Sequence, residues 1–508
     1  MERRTVYRMP FCNIAQIARF NKNYYGYVGA RQIGASVRNC EVLMKTTISV
    51  VLLSLTLAVA ASAQNIYVAQ SAAGANSGAD CSNAHPASWF NSSSQIVPGV
   101  TVHLCGTIST MLRVPADGAS GQPVTILFEP NAKISLAYFT STAGLIDISN
   151  RKWVVIDGGS NGIIELTGNG TSLAHQSDGY GVAVNGASNF TIKNLKIQNL
   201  YVRTGTTDSN GWGYGIFGGG SAVSGTNRIT NNVIHDMSTC WIFNINGTME
   251  IDHNDCGRVS WGFASGGGSP ASFLFHDNKL HDGSVWYQVN DVFHNDAFHV
   301  WTTGGQWNNV QVYNNDFYGD WGTFTTGLVY LECDNTANSC PLQIYNNLFR
   351  ASSSLTNGRV ALKDAQNVRI YGNYFEGPGN AIHEENGGAG GSSGTQAVNN
   401  IFVNVDSPFA LGPGPSTWST RDYNAYWNTP AGPDTHKVTS NPMLNSSYIP
   451  QLGSPLIDAG TALAATYAVD RTGTPRPQGS GWDIGPYEFT TGTASAPAPP
   501  TQLTAVAH

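Results

Sequence analysis

From residue 229 to residue 402 one arrangement of apolar and polar positions keeps returning. It consists of an apolar residue, two intervening residues, Asn, one residue, and a second apolar residue. Its instances are Ile229/Asn232/Ile234, Ile251/Asn254/Cys256, Phe275/Asn278/Leu280, Val312/Asn315/Phe317, Ile344/Asn347/Phe349, Ile370/Asn373/Phe375 and Ala397/Asn400/Phe402. A relative with Leu in place of Asn, Ile192/Leu195/Ile197, precedes them. Between the Asn positions lie short Gly-rich stretches without the 3.6-residue period that helical or leucine-rich repeats require. The gaps between successive Asn are 22, 24, 37, 32, 26 and 27 residues. A minimum near 22 with a variable excess describes one coil of a solenoid whose extra residues leave as loops. Asn at a strand-to-strand bend tolerates the left-handed conformation and bonds nearby backbone. Stacked coil on coil, such side chains form an amide ladder, and the flanking apolar residues stack inward. The pattern predicts an all-β chain: a right-handed, single-stranded parallel β-helix with an Asn ladder.

This coil motif resembles that of the pectate-lyase-type β-helix superfamily, over roughly residues 65–489. The opening strands expected at 65–69 and 98–104, and the run 123–128, resemble the start of many secreted β-helices. At the other end, Gly453 to Gly460, then Asp470 to Gly473, Arg476-Pro477 and Asp483 to Phe489, resemble the closing segment of bacterial surface β-helix proteins of the choice-of-anchor type. That resemblance implies a cap over about residues 440–490, closing the last coil against solvent. Residues 491–508 follow as a Pro/Ala-rich tail with the composition of a stiff linker.

Only 12% of the residues are charged, and Gly numbers 57, which suits turns and short strands better than helices. Residues 44–63 have a charged start at Lys45, an apolar run from Ile48 to Ala60 and small residues at 61–63, the layout of a secretory signal peptide. Residues 1–43 are read as a misassigned start or an extended basic n-region. The apolar run is too short to span a bilayer, and no later segment qualifies. Without residues 1–63 the chain holds 18 Lys/Arg against 31 Asp/Glu, an acidic balance that argues against nucleic acid as a partner. Six Cys remain, and an even number in an exported chain suggests disulfides. Nearest-neighbour pairing gives Cys81–Cys105, Cys240–Cys256 and Cys333–Cys340, one of fifteen connectivities.

Candidate chemistry follows from alternation in the strand before each bend. Phe298, Val300, Val329 and Leu331 are expected to face in. His299, Trp301, Tyr330, Glu332, Arg359, Lys363, His383 and Glu385 are expected to face out as one patch on consecutive coils. Trp286, in the insertion 281–295 with Tyr287 and Asp291, and Trp321 are expected to wall a groove for sugar rings. Trp212, Tyr214, Trp241 and Trp261 extend it. The resemblance implies β-elimination on a uronic-acid polymer, with Lys363 as base, Arg359 as carboxylate partner or acid, and His299, His383 and Tyr330 as an alternative acid–base set. Glu332, Glu385, Trp301, Trp286 and Trp321 are the expected substrate contacts. Salt bridges among Arg359, Lys363, Glu332 and Glu385 on a solvated face are the structural alternative. His294, Asp296 and His299 form a local run that suits a metal, but alternation separates Asp296 from His299, so a structural turn is preferred there. No cofactor is assigned, with calcium left open. Two further readings stand beside the lyase. One is a glycoside hydrolase using Glu332, Asp334, Glu384, Glu385 or Asp296; the other is a non-catalytic glycan-binding surface protein. A monomer acting on extracellular polysaccharide is the expected state.

Overall fold

The computed structural model describes residues 64–490, apart from 206, 209–210, 287–293, 302–306, 323–324, 334–339, 356, 386–389 and 413–415. Residues 44–63, expected to be a signal peptide, and 491–508, expected to be a linker, lie outside the described residues.

Three long sheets of 14, 12 and 9 strands carry the chain, with every strand pair in them parallel. From Val154 to Leu411 each turn of the chain visits all three. The coil that begins with Trp261–Ser265 in the third sheet continues to Ser272–His276 in the first and Lys279–His281 in the second. The next coil repeats the circuit through Asn295–Trp301, Val310–Tyr313 and Asp316–Gly319. This is the parallel β-helix expected from the sequence. Apolar ladders fill its interior. Phe317, Phe349, Phe375, Phe402 and Tyr426 stack with ring centroids 4.8, 4.9, 5.1 and 5.4 Å apart. In the third sheet Trp241, Phe263, Phe298, Val329, Val360, Ile382 and Phe409 stand in register as an inward column.

The Asn ladder is continuous. The Oδ1 of Asn254 accepts both the backbone N–H and the side-chain amide of Asn232, each at 2.9 Å. The same pair of bonds links Asn254 to Asn278, Asn278 to Asn315, Asn315 to Asn347, Asn347 to Asn373, and Asn373 to Asn400. Each amide also donates to the carbonyl before the previous bend, as Asn315 does to Phe275 at 2.9 Å. Leu195, the exception in the pattern, sends its backbone N–H to Asn232 Oδ1 at 3.0 Å and so begins the ladder. The sequence pattern misses one rung. Asn400 donates to Asn424, and Asn424 donates to Asp434 Oδ2 at 2.6 Å, a carboxylate that terminates the chain of amides. A second correction concerns the bend. The left-handed residue precedes the ladder Asn, as Asn231, His253, Asp277, Asn314, Asn346 and Asn399 all have φ between 54° and 58°. The ladder Asn supplies the hydrogen bonds, and its neighbour supplies the turn.

The three disulfides are Cys81–Cys105, Cys240–Cys256 and Cys333–Cys340. At the N-terminal end the helical turn Ala87–Phe90 buries Ala87 and Phe90 in the core. The closing segment packs against the solenoid, with Leu456, Ile484 and Tyr487 in one cluster with Ala425 of the last coil. The same cluster extends along the flank to Leu348, Tyr374 and Ile401. Arg471 reaches the carbonyls of Asn315 and Asn346, both at 3.0 Å. Its motif residues interlock: buried Arg476 holds Glu488 Oε1 at 2.8 Å, and Asp470 and Asp483 accept the backbone N–H groups of Glu488 and Phe489.

Candidate functional site on the third sheet

The third sheet has the longer strands, and its outward residues form two rows. Register places Ala264, His299, Tyr330, Ala361, His383 and Ala410 in one row. Trp301, Glu332, Lys363 and Glu385 make the next. Most of the expected patch is therefore assembled, at about 4.8 Å per coil.

The groups are coupled. Lys363 Nζ lies 2.5 Å from Glu332 Oε1, and Glu332 Oε2 lies 3.7 Å from His299 Nε2. Contact with His299, then with Lys363, holds the Glu332 carboxyl down at about 2 despite partial burial. Burial opposes charge on His299, but Asp296 and then Glu332 outweigh it, so the imidazole is raised above its ordinary value. His383 Nδ1 stands 3.6 Å from Glu385 Oε1. Tyr330 packs on His299 with centroids 4.7 Å apart. Trp301 and Trp261 flank His299 at 4.9 and 5.9 Å.

Three expected members do not join. Arg359 is fully buried, and its guanidinium donates to the carbonyls of Ala351, Glu376, Pro378 and Asn380, where it holds the turn around Gly377–Gly379. It precedes the strand Val360–Lys363, so strand alternation does not govern it. Trp286 is buried against Tyr201 with its indole N–H on the Arg258 carbonyl at 2.8 Å. Trp321 is buried with its N–H on the Tyr318 carbonyl at 2.9 Å. Both rings are buried and offer no wall to a sugar. Trp241 is likewise in the core. Among the carboxylates, Glu384 faces inward and is fully buried, while Asp334 and Asp291, and with them Tyr287, lie outside the described residues.

The largest departure from the sequence reading is at Asp296. Ala297 and Phe298 are both in the core, so alternation breaks between them, and a register shift at Asn295/Asp296 accompanies the break. Asp296 and His299 therefore project from the same face, with Asp296 Oδ2 3.2 Å from His299 Nδ1 and 3.5 Å from His294 Nε2. The His-x-Asp-x-x-His spacing was the available signal, and strict alternation hid it.

No family model matches the chain, and no curated protein matches it. Among solved structures, the complex of XylC with xylose matches with a TM-score of 0.53 at 10% identity, covering 84% of this chain and 98% of that one. Pectate lyase Pel9A matches at 0.33 and 13% identity, covering 85% and 97%. The Streptococcus pneumoniae surface protein and adhesin PfbA matches at 0.32 and 10% identity, covering 65% and 92%. The chain shares the β-helix fold. At such identities the likeness carries no activity with it.

Proposed function

We propose that the protein is an extracellular enzyme that cleaves a uronic-acid-containing polysaccharide by β-elimination on the outer face of the third sheet. One observation carries the reading: register sets Tyr330 and His383 on either side of Ala361, with Lys363 alongside. Tyr330 and His383 stand two coils apart, about 10 Å between strands, over a floor with only a methyl group. That slot suits one sugar ring. Lys363 supplies a positive charge for the uronate carboxylate in place of its pairing with Glu332. His383, beside Glu385, takes the proton from the carbon next to the carboxylate. The bond from the β-carbon to the glycosidic oxygen then breaks, Tyr330 protonates that oxygen, and a C4–C5 double bond forms. Arg359, bound to four carbonyls, has no part in this. The half-buried Trp301 and Trp261 offer rings for sugar stacking, and three disulfides suit an oxidising, extracellular setting.

The test is incubation with a panel of polyuronides and glycosaminoglycans, read by the ultraviolet absorbance of the new double bond. Absorbance should rise and fall at least about 100-fold in rate with Lys363→Ala or His383→Ala. New reducing ends without absorbance would move the face to hydrolysis by Glu332 and Glu385, which share a row two coils apart. Retained glycan binding with neither product would leave a binding protein.

A further inference from the structure

Two clusters among the described residues bring at least three His or carboxylate ligand atoms within 4.8 Å of one another. They differ in what already satisfies them. In Glu250–Asp252–His276, Arg228 grips both oxygens of Asp252 at 2.8 Å, Thr230 adds a hydrogen bond, and His276 bonds Asp277 and Glu250. That cluster is closed by its own ion pairs.

His294–Asp296–His299 is not. Asp296 and His299 are almost fully buried, yet Asp296 Oδ2 and both ring nitrogens of His299 lack a hydrogen-bond partner among the described residues. The contacts at 3.2 and 3.5 Å are short enough for attraction but not aligned for hydrogen bonds. Buried polar atoms left this way are costly unless something else engages them. The surrounding groups hold the three in place. Asp296 Oδ1 accepts the backbone N–H of Gly327 at 3.0 Å and the hydroxyl of Thr326, which leaves Oδ2 directed at the imidazoles. The backbone carbonyl of His294 accepts the indole N–H of Trp261 at 2.6 Å and the Ser260 hydroxyl at 3.2 Å.

We propose that His294 Nε2, Asp296 Oδ2 and His299 Nδ1 bind a divalent cation of the zinc type. Ligands about 2.0–2.1 Å from a tetrahedral ion stand about 3.3 Å from one another, and the two measured spacings, 3.2 and 3.5 Å, bracket that edge. Two imidazoles and one carboxylate suit zinc, cobalt or ferrous iron and are a poor set for calcium, which takes oxygen ligands. Glu332 approaches the far nitrogen of His299 at 3.7 Å. A carboxylate on the distal ring nitrogen is the usual device for orienting a metal-bound histidine. Three protein ligands of a tetrahedral ion leave a fourth position for water or another ligand. The site stands independently of the elimination chemistry, since binding is read by stoichiometry and either reading can fail alone.

The experiment uses the full chain without a histidine tag, stripped with chelator and titrated with Zn²⁺ and Co²⁺. One ion per chain is expected, with a visible cobalt absorption of tetrahedral intensity. His294→Ala, at a partly exposed position and so tolerant of replacement, should weaken zinc binding at least about 100-fold, and Asp296→Ala should abolish it. His276→Gln, in the closed cluster, should leave it unchanged. No stoichiometric binding by the native chain, binding indifferent to His294→Ala, or binding of Ca²⁺ that Zn²⁺ does not displace would each overturn the proposal.

Discussion

Glu384 gives the fold a built-in response to pH. It sits in the strand Asn380–Glu385, between Leu362 and Leu411 in register, and its side chain points into the solenoid with no exposure. Neither carboxylate oxygen has an aligned hydrogen-bond partner. Burial raises its titration to about 7, only partly offset by Thr395 and the charge of Arg421. In the unfolded chain the same group titrates at its ordinary value of 4.5. The folded state thus holds this proton more tightly than the unfolded state. Its contribution is fully present below pH 4.5, declines as pH rises through 7, and then levels off. A difference of this size corresponds to about 3 kcal/mol. For a domain of this length that is about 3–4 °C in melting temperature. Glu384→Gln keeps the shape and removes the titration. Thermal melts followed by circular dichroism from pH 4 to 8.5 should therefore coincide near pH 4 and diverge above pH 5. The variant should be the more stable by several degrees at pH 8. Parallel curves across the range would refute the assignment of a neutral buried carboxyl.

Two other perturbations have computable outcomes. Asn315→Ala removes two bonds accepted from Asn278 and two donated to Phe275 and Asn347, inside a fully buried corner. A loss of about 4 kcal/mol is expected by denaturant titration, and a loss under 1 kcal/mol would mean the ladder is ornamental. His276 is opposed by burial, but Asp277 and Glu250 raise it to about 9. A base raised in the folded state stabilises fully below pH 6.5 and loses that contribution as pH rises through 9. His276→Gln should flatten the stability profile in that window, and an unchanged slope would argue against the ion pairs.

The solenoid was legible because each coil must bury apolar residues at the same two points, and the Asn between them recurs with few exceptions. The missed rung shows the limit of that rule. At Asn424 the first apolar position is occupied by Arg421, which lies 5.4 and 5.2 Å from the Phe409 and Trp418 ring centroids and so substitutes cation–π contact for aliphatic packing. The site was half legible. Alternation found His299, Tyr330, Glu332, Lys363, His383 and Glu385, because these lie well inside regular strands. It failed at Arg359, just outside a strand, and at Trp286 and Trp321, rings that lie outside regular strands and are buried rather than exposed.

The failure at Asp296 is of another kind. A strand that alternated strictly would send Asp296 inward and leave a carboxylate in an apolar core at a large penalty. Instead two consecutive core residues, Ala297 and Phe298, absorb the reversal, and the register slips at Asn295/Asp296. The result puts a buried acid against two imidazoles rather than against hydrocarbon. Irregularities of this sort aim side chains that a regular strand would misdirect. The ladder on the opposite corner makes such a departure tolerable. Its amide bonds fix each coil to the next independently of what the third sheet does, so that sheet can carry a slipped strand, loops and charged rows without losing register. The metal-ligand geometry and the broken alternation fall on the first of the four coils, from His299 to Glu385, that carry the polar rows. The fold concentrates its local exceptions where its chemistry is proposed.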